Sequence, residues 1–406
     1  MNVFEEINSY NRNDYQRDNF DSFLDKVGFK FKVPAVHVTG TNGKGSVCNY
    51  ISNIYLQSGR KVGLYNSPCS KDILDMIKIN NVNISIEELS FIFNEYRKLF
   101  DKYNLSSFEI ITFIALSYFS KNNVDIAVIE CGMGGEVDAT NIFTPVLSII
   151  TNVTSEHTNF LGVSISEIAL HKAGIIKQDV PVLIGDIKGD ALDVIVSKAK
   201  EFNSKITKVD QFHNESLTES GYKFFYRPFG DVEINSLSKN SVTDACIALE
   251  AINILNSQFP VGLEAIKQGL LCAQLPARFE IHRGNPIIVI DGAHNPDAIK
   301  KLRSDMEDVF TGKAFHIVFA CFKDKNITSM LPEIALLGEL SLTTFNHVRA
   351  RDESDYFLYL DDYKFFEDHL ALIKELKTTY PDDVILVTGS LAFANLVHQE
   401  ILDGKI

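Results

Sequence analysis

Continuously apolar, β-branched runs alternate with helical patterns along most of this chain, and that alternation narrows the fold more than any other feature. Strands are expected at 34–39 (PAVHVT), 62–65 (VGLY), 124–130 (VDIAVIE), 145–150 (PVLSII) and 180–184 (VPVLI). Helical patterns occupy 44–58, 86–102, 107–121 and 164–173. A strand that is apolar on both faces has to be covered on both faces. Such strands separated by helices indicate a mostly parallel sheet, and so an α/β fold. Residues 203–236 read instead as short alternating strands with turns, followed by helical patterns at 240–256 and 262–271. After LPARFE the alternation restarts with strand 286–291, helix 297–309, strands 314–320 and 383–388, and helix 390–402. A chain of 406 residues is too long for one ordinary core. We expect two domains, 1–275 and 276–406, meeting at Leu275-Pro276.

Charge and cysteine usage exclude some functions. The net charge is −14 with no long basic run, which argues against nucleic acid or an anionic membrane as the main partner. The six cysteines, Cys48, Cys69, Cys131, Cys246, Cys272 and Cys321, form no CxxC pair, so neither a zinc knuckle nor a redox motif is indicated. Scattered thiols fit a reducing cytoplasm. The start, MNVFEEINSYNRNDYQ, is polar and acidic, unlike a signal peptide, and no apolar run approaches a membrane span. The expectation is a cytoplasmic protein.

The segment TGTNGKGS (39–46) lies between an expected strand and an expected helix. Its three glycines let the backbone turn back and bring N–H groups close to a phosphate. The helix that follows offers its N-terminal N–H groups and positive dipole end, and Lys44 can reach outer phosphates. Thr41, Asn42, Gly43, Lys44, Gly45 and Ser46 are the candidate nucleotide contacts. Strand, loop, lysine, hydroxyl and helix come in the order a phosphate loop requires. One residue departs from the common ATPase signature, because Gly45 stands where Ser or Thr is usual.

Three downstream stretches carry further candidates. VDIAVIECGMGGEVDATN (124–141) is a strand ending in Glu130 and then glycines. Ligands of parallel sheets bind beyond the carboxyl ends of strands, and a carboxylate there suits Mg²⁺; a solvated strand end is the equal alternative. SIITNVTSEHTNFLG (148–162) places His157 in a polar turn, where a lone histidine is usually structural. ISEIALHKAGIIK (165–177) ends a helix with Lys172, which by itself reads as dipole compensation.

Taken together, GTNGKGS, NSPCS (66–70), ECGMGG…DATN, the histidine after the next strand, KAGIIK, LPARFE (275–280), VIDGAHNPDA (289–298) and VTGSLAFA (387–394) resemble the folylpolyglutamate synthase/dihydrofolate synthase family of the Mur ligase superfamily. That family puts glycine where its cell-wall relatives put Thr or Ser in the loop. The resemblance spans residues 37–394. It implies a two-domain Mur-ligase-like architecture, with an N-terminal P-loop ATPase domain and a smaller Rossmann-like C-terminal domain. It also implies an ATP-dependent amide ligase that adds L-glutamate to a folate through an acyl phosphate, acting as a monomer. Ser67, Glu130 and His157 would bind Mg²⁺, and Lys172 would be carbamylated, with Lys44, Lys172 and His157 as the catalytic set. Arg278 and Asp291 would contact ATP from the second domain, and His294 and Ser390 would hold glutamate. Phe108, Asp138, Ala139 and Thr140 would lie at the pterin pocket.

Several positions depart from the family pattern. Cys69, Ser70 and Asp72 stand where the family tends to have His, Leu and Arg, on a substrate-side loop. Glu136 replaces a neutral or basic residue, and His171 an acidic one. Asn240 and Asp244 stand for His and Asn. These changes keep two other readings open: a paralogue joining an amino acid to a different carboxylic acid, and an ATP-binding protein that has lost ligation. Retention of Lys44, Glu130, His157, Lys172, Asp291 and His294 argues against the latter.

Overall fold

The computed structural model describes residues 3–10, 17–68, 72–155, 158–273 and 276–406. The chain folds as two units. The first comprises 1–216, 223–235 and 241–273; the second comprises 217–222, 236–240 and 274–406. The boundary expected at Leu275-Pro276 involves Leu275, which lies outside the described residues.

The first unit is built on an eight-stranded sheet. From one edge to the other its strands are Val82–Asn83, Ile77–Ile79, Val62–Tyr65, Ile126–Glu130, Ala35–Thr39, Leu147–Ile150, Val182–Ile184 and Ile206–Lys208. From Val62–Tyr65 onward every pairing is parallel. Two short strands add an antiparallel edge. The central strands AVHVT and IAVIE are buried at every position, which is why their sequences are apolar without alternation. A separate three-stranded sheet, His213–Leu217, Tyr222–Tyr226 and Gly230–Ile234, occupies the stretch that read as short alternating strands.

Two N-terminal helices, Val3–Ser9 and Arg17–Val27, were not expected from so polar a start. Phe20, Phe23 and Leu24 supply the apolar face of the second. Phe23 packs edge-on to Phe113, with centroids 4.9 Å apart.

The second unit carries a six-stranded sheet in the order Glu280–His282, Ile287–Ile290, Val384–Thr388, Phe315–Phe319, Glu339–Thr343 and Lys364–Phe366. Its first pairing is antiparallel and the others are parallel. The region from 327 to 379 adds two strands and two helices, Ile327–Ala335 and His369–Thr379, that the apolar pattern did not reveal. Among the described residues no helix is long and apolar enough to cross a membrane, and Cys48, Cys131, Cys246, Cys272 and Cys321 are free thiols.

A titratable side chain is sealed inside the central strand. His37 is fully buried. Its Nε2 lies 2.8 Å from Thr140 Oγ1 and 3.0 Å from Cys131 Sγ. Burial, helped by the nearby charge of Lys177, pushes its pKa from 6.5 down to about 3. The imidazole is therefore neutral in the fold and becomes charged in the unfolded chain below the ordinary value. Its contribution to stability is fully present above pH 6.5 and is lost as pH falls toward the depressed value, at about 1.4 kcal/mol per pH unit. Urea melts at a series of pH values should show this acid limb. His37→Gln should flatten it, whatever its effect at neutral pH; an unchanged slope would assign the limb to other groups.

Candidate active site

The expected nucleotide loop forms as a phosphate cradle. Helix Lys44–Gln57 starts immediately after Gly43, which adopts φ 81°. The first bond of the turn is Val47 N–H to the Gly43 carbonyl, 2.9 Å. The N–H groups of Lys44, Gly45 and Ser46 therefore point out of the helix N-terminus, where an anion is stabilised. Two glycines are required by close approach as well as by φ. A Cβ on Gly40 would sit 1.9 Å from Thr151 Oγ1, and one on Gly43 would sit 2.3 Å from Asp244 Oδ1. The Asp244 carboxylate thus lies directly against the loop.

The loop is strapped to the turn after the neighbouring strand Leu147–Ile150. Asn152 O accepts from Thr41 N at 3.1 Å and Asn152 Oδ1 accepts from Asn42 N at 2.9 Å. Thr151 Oγ1 and Asn152 Nδ2 both donate to the Asn42 carbonyl, at 2.6 and 3.1 Å. Thr154 N donates to Thr41 Oγ1 at 3.0 Å. The backbone N–H groups of Thr41 and Asn42, expected to meet phosphate, are spent on this strap. They shape the loop, and the N–H groups from Lys44 onward stay at the helix N-terminus, a position that suits an anion. Thr151, Asn152 and Thr154 were not singled out in the sequence, where they read as an ordinary polar turn. Asn152→Ala removes both side-chain bonds to Asn42, at roughly 1 kcal/mol net each. We expect the ATP KM to rise about tenfold with a smaller change in kcat; equal losses in kcat and kcat/KM would instead place Asn152 in the reacting geometry.

Lys44 Nζ donates to the carbonyls of Gly40 and Thr41, at 2.9 and 3.2 Å. The cation is thus held over the mouth of the loop, on carbonyls that a phosphate oxygen would outcompete.

Glu130 ends the strand beside the loop strand and is buried. Its Oε2 accepts from Asn66 Nδ2 at 2.9 Å and from Ser67 N at 3.1 Å. A Cβ on Gly45 would lie 3.5 Å from Glu130 Oε2, so glycine at this position keeps the space beside the carboxylate open. Four adjacent strand ends, in the order Ser67, Glu130, the loop, Asn152, make one row of polar groups. The oxygen donors there, the Glu130 carboxylate and the Ser67 hydroxyl, are of the hard type Mg²⁺ selects. His157, the third expected ligand, lies outside the described residues.

Lys172 is completely buried near the end of helix Ile165–Ala173. The glycines of 132–135 allow the neighbouring loop to approach that helix end: a Cβ on Gly135 would come within 2.8 Å of the His171 carbonyl and 3.0 Å of the Lys172 carbonyl. Glu136 N donates to the His171 carbonyl at 2.8 Å. Glu136 and His171, two separate departures from the family pattern, face each other, with His171 Nδ1 3.6 Å from Glu136 Oε2.

The residues expected at a pterin pocket divide into two kinds. Phe108 is half-buried at the start of helix Ser107–Lys121, where Ser106 and Glu109 form a capping box. Its ring lies against Gly132, whose Cβ would meet it at 2.5 Å. Asp138, Ala139 and Thr140 are buried. Asp138 accepts from Met133 N at 2.8 Å, Thr140 N at 2.9 Å and Thr140 Oγ1 at 2.6 Å. The Asp138 carboxylate and the Thr140 hydroxyl are thus hydrogen-bonded within this loop and to His37. Arg17 clamps the same loop from outside, donating to the carbonyls of Asp138 and Asn141 at 2.7 and 3.0 Å. Asp72 caps the turn Ile73–Met76, accepting from Leu74 N at 2.9 Å. Cys69 and Ser70 lie outside the described residues.

In the second unit Asp291 ends a strand and accepts from Phe279 N and Ala293 N, each at 2.8 Å. Burial pushes its carboxyl up, while the Arg278 guanidinium and these two donors pull it down. Asp291 therefore fixes the turn that carries Arg278. Gly292 has no room for a side chain, since a Cβ would lie 3.0 Å from Leu391 Cα. His294 Nδ1 lies 2.8 Å from the Gly292 carbonyl. Asn295 caps helix Pro296–Val309 and Ser390 caps helix Leu391–Leu402. Gly389 N donates to the Ala293 carbonyl at 3.1 Å. The turns bearing His294 and Ser390 are therefore adjacent, and two helix N-termini open side by side at the ends of neighbouring parallel strands. Two positive dipole ends with an imidazole and a hydroxyl suit a small dianion carrying carboxylates.

Comparison with known proteins was made against this geometry. Residues 38–251 match the Mur ligase middle domain, and residues 277–391 match the Mur ligase, glutamate ligase domain. A folylpolyglutamate synthase of Lacticaseibacillus casei is 33% identical over 388 residues, covering 91% of this chain and 90% of its own. A dihydrofolate synthase/folylpolyglutamate synthase of Bacillus subtilis is 28% identical over 390 residues, covering 91% of each chain. A solved structure described as an FPGS–AMPPCP–folate complex superposes with a TM-score of 0.86 at 31% identity, over 99% of this chain and 100% of that one.

Proposed function

The chain belongs to the folylpolyglutamate synthase/dihydrofolate synthase family of Mur ligases, and on that premise we propose that it joins L-glutamate to the carboxylate of a folate using ATP. The observation that carries this reading is the strapped phosphate cradle at Lys44–Ser46 lying one strand away from the buried Glu130 carboxylate. A lone glycine-rich turn would need neither the strap nor the carboxylate.

The folate carboxylate oxygen attacks the γ-phosphorus of ATP; ADP leaves and an acyl phosphate forms. The neutral amine of glutamate then attacks the acyl carbon and loses a proton, and the tetrahedral intermediate collapses by expelling inorganic phosphate. Two anions meet in the first step. Lys44 Nζ and the N–H groups of Lys44, Gly45 and Ser46 offset that repulsion and stabilise charge on the transferring phosphoryl group. Ser67 and Glu130, with His157, would hold Mg²⁺, which when bound screens the phosphate charge. Lys172, buried and close to the loop of 132–135, is the residue we assign to carbamylation: its neutral amine adds CO₂ and loses a proton, giving a carboxylate on that helix end. Arg278 contacts ATP, with Asp291 as its positioning residue. His294, Ser390 and the two helix N-termini hold glutamate. Phe108 presents an apolar face to the pterin, while Asp138, Ala139 and Thr140 hold its loop. The free thiols suit a reducing cytoplasm, and we read the enzyme as a monomer.

Acceptor choice follows from the altered 69–76 segment. Without the usual cation there, a charge-assisted contact worth roughly 1.5–3 kcal/mol is missing, enough to weaken an anionic acceptor about tenfold or more. We expect reduced folates to be used well and dihydropteroate poorly. Glutamate-dependent ADP release, measured with a panel of pteroates and folates, tests both statements. Equal turnover of dihydropteroate and tetrahydrofolate would make the enzyme bifunctional, as the name of the Bacillus subtilis relative describes that protein. No release with any member of the panel would favour a different acid substrate or an ATP-binding role.

A further inference from the structure

Glu280, His282 and His398 converge within the second unit, next to the turn that carries Arg278. Glu280 and His282 alternate on the edge strand Glu280–His282, so both side chains leave the same face. His398 comes from helix Leu391–Leu402. Glu280 Oε1 lies 2.6 Å from His282 Nε2 and 2.7 Å from His398 Nδ1, and all three donor atoms are within 4.8 Å of one another. The His282 contact is short but off line: its buried Nε2 makes no hydrogen bond of ordinary geometry. Glu280 Oε2 is meanwhile fixed by Ala277 N at 2.9 Å, which orients the carboxylate from behind as an outer-shell partner would.

We propose that Glu280, His282 and His398 form a site for a divalent transition metal, of which Zn²⁺ fits best. Two imidazole nitrogens and one carboxylate oxygen are a donor set that Zn²⁺ favours. Tetrahedral bonds of about 2.0–2.1 Å put ligand atoms about 3.3 Å apart. The two short contacts would need to open by about 0.6–0.7 Å, within reach of small side-chain rotations. The side chains retain 15–25% exposure, so the cluster lies near the surface. Binding replaces the protons shared in the cluster by the metal and releases them to solvent. The consequence is structural. Glu280 is tied to Ala277, and Gly292 N to the Ala277 carbonyl. The ion would therefore brace the turn carrying Arg278 and pin the helix that begins at Ser390.

The test uses the full-length protein, treated with chelator and titrated with Co²⁺ and then Zn²⁺ in the presence of Mg²⁺. One equivalent of Co²⁺ should give the visible absorption of a four-coordinate site and be displaced by Zn²⁺, and Zn²⁺ should raise the thermal midpoint by several degrees. His282→Gln and His398→Gln should each abolish the absorption while leaving the far-ultraviolet spectrum unchanged. Should either variant fail to fold, X-ray absorption on the wild-type cobalt form decides, by showing two imidazoles and no sulfur. Absence of one-equivalent binding to the wild type, binding retained in folded variants, or a sulfur ligand from Cys272 would each overturn the proposal and leave the cluster as a hydrogen-bonded clasp.

Discussion

Lys44→Ala is expected to fold normally and to lose acyl-phosphate formation almost entirely. The side chain lies over the mouth of the loop on two carbonyls of its own turn, so its removal leaves the strap from Thr151, Asn152 and Thr154 in place. What disappears is the one cation that the loop itself directs at the outer phosphates. Removal of a single preorganised stabiliser of this kind costs on the order of 10²–10³ in rate. Thermal melting should stay close to wild type, and single-turnover ADP formation should fall by that factor at saturating ATP. Near-normal turnover would remove the loop from the mechanism and leave it as a binding element.

Lys172→Ala should be as damaging for a different reason. Lys172 is sealed against solvent, at the helix end that the loop of 132–135 approaches. Carbamylation, as proposed, would put a carboxylate at that helix end. Truncation removes the carboxylate and leaves a cavity of suitable length. Most activity should be lost, and acetate or formate should restore part of it in a saturable way. Bicarbonate labelled with a heavy carbon isotope should give a carbamate resonance in the wild type that Lys172→Ala lacks. A bare ammonium in a high-resolution map with Mg-ATP and bicarbonate present, together with no rescue by small acids, would count against the modification. The Glu136–His171 contact bears on this expectation. Read singly, His171 in place of an acidic residue weakens the case for a carbamate; seen facing Glu136, it belongs to a pair that keeps one acid and one base at the same contact.

The central strands and the loop were legible because both obey local rules. A fully buried parallel strand is mostly apolar on both faces, and glycines at 40 and 43 are demanded by positive φ and by Thr151 and Asp244 packed against them. The pairing of the loop with Thr151–Thr154 was not legible, since hydrogen bonds between distant turns leave no periodicity in either. Arg17 was hidden for the same reason: a lone arginine in a polar N-terminal stretch reads as solvated, and only the fold brings it to the carbonyls of Asp138 and Asn141. The apolar triplet Phe20, Phe23 and Leu24 was a readable signal for that helix. Motif matching cannot separate residues that touch a ligand from those that shape the turn around it. Thr41, Asn42, Asp138, Thr140 and Asp291 all belong to matched strings, and in the fold each makes hydrogen bonds to neighbouring protein groups. Glu339–Thr343 and Lys364–Phe366 escaped notice because short strands near a sheet edge carry too few apolar residues to stand out.

The most direct measurement follows the oxygen atoms. Tetrahydrofolate carrying a heavy oxygen isotope in its side-chain carboxylates is incubated with MgATP and glutamate, and both the folate product and the released phosphate are weighed by mass spectrometry. Acyl-phosphate chemistry predicts a product heavier by one glutamyl residue and one labelled oxygen in each phosphate released, with ADP formation dependent on the folate. Phosphate carrying oxygen only from water, or ATP hydrolysis indifferent to folate and glutamate, would contradict the assignment of this chain as a folate–glutamate ligase.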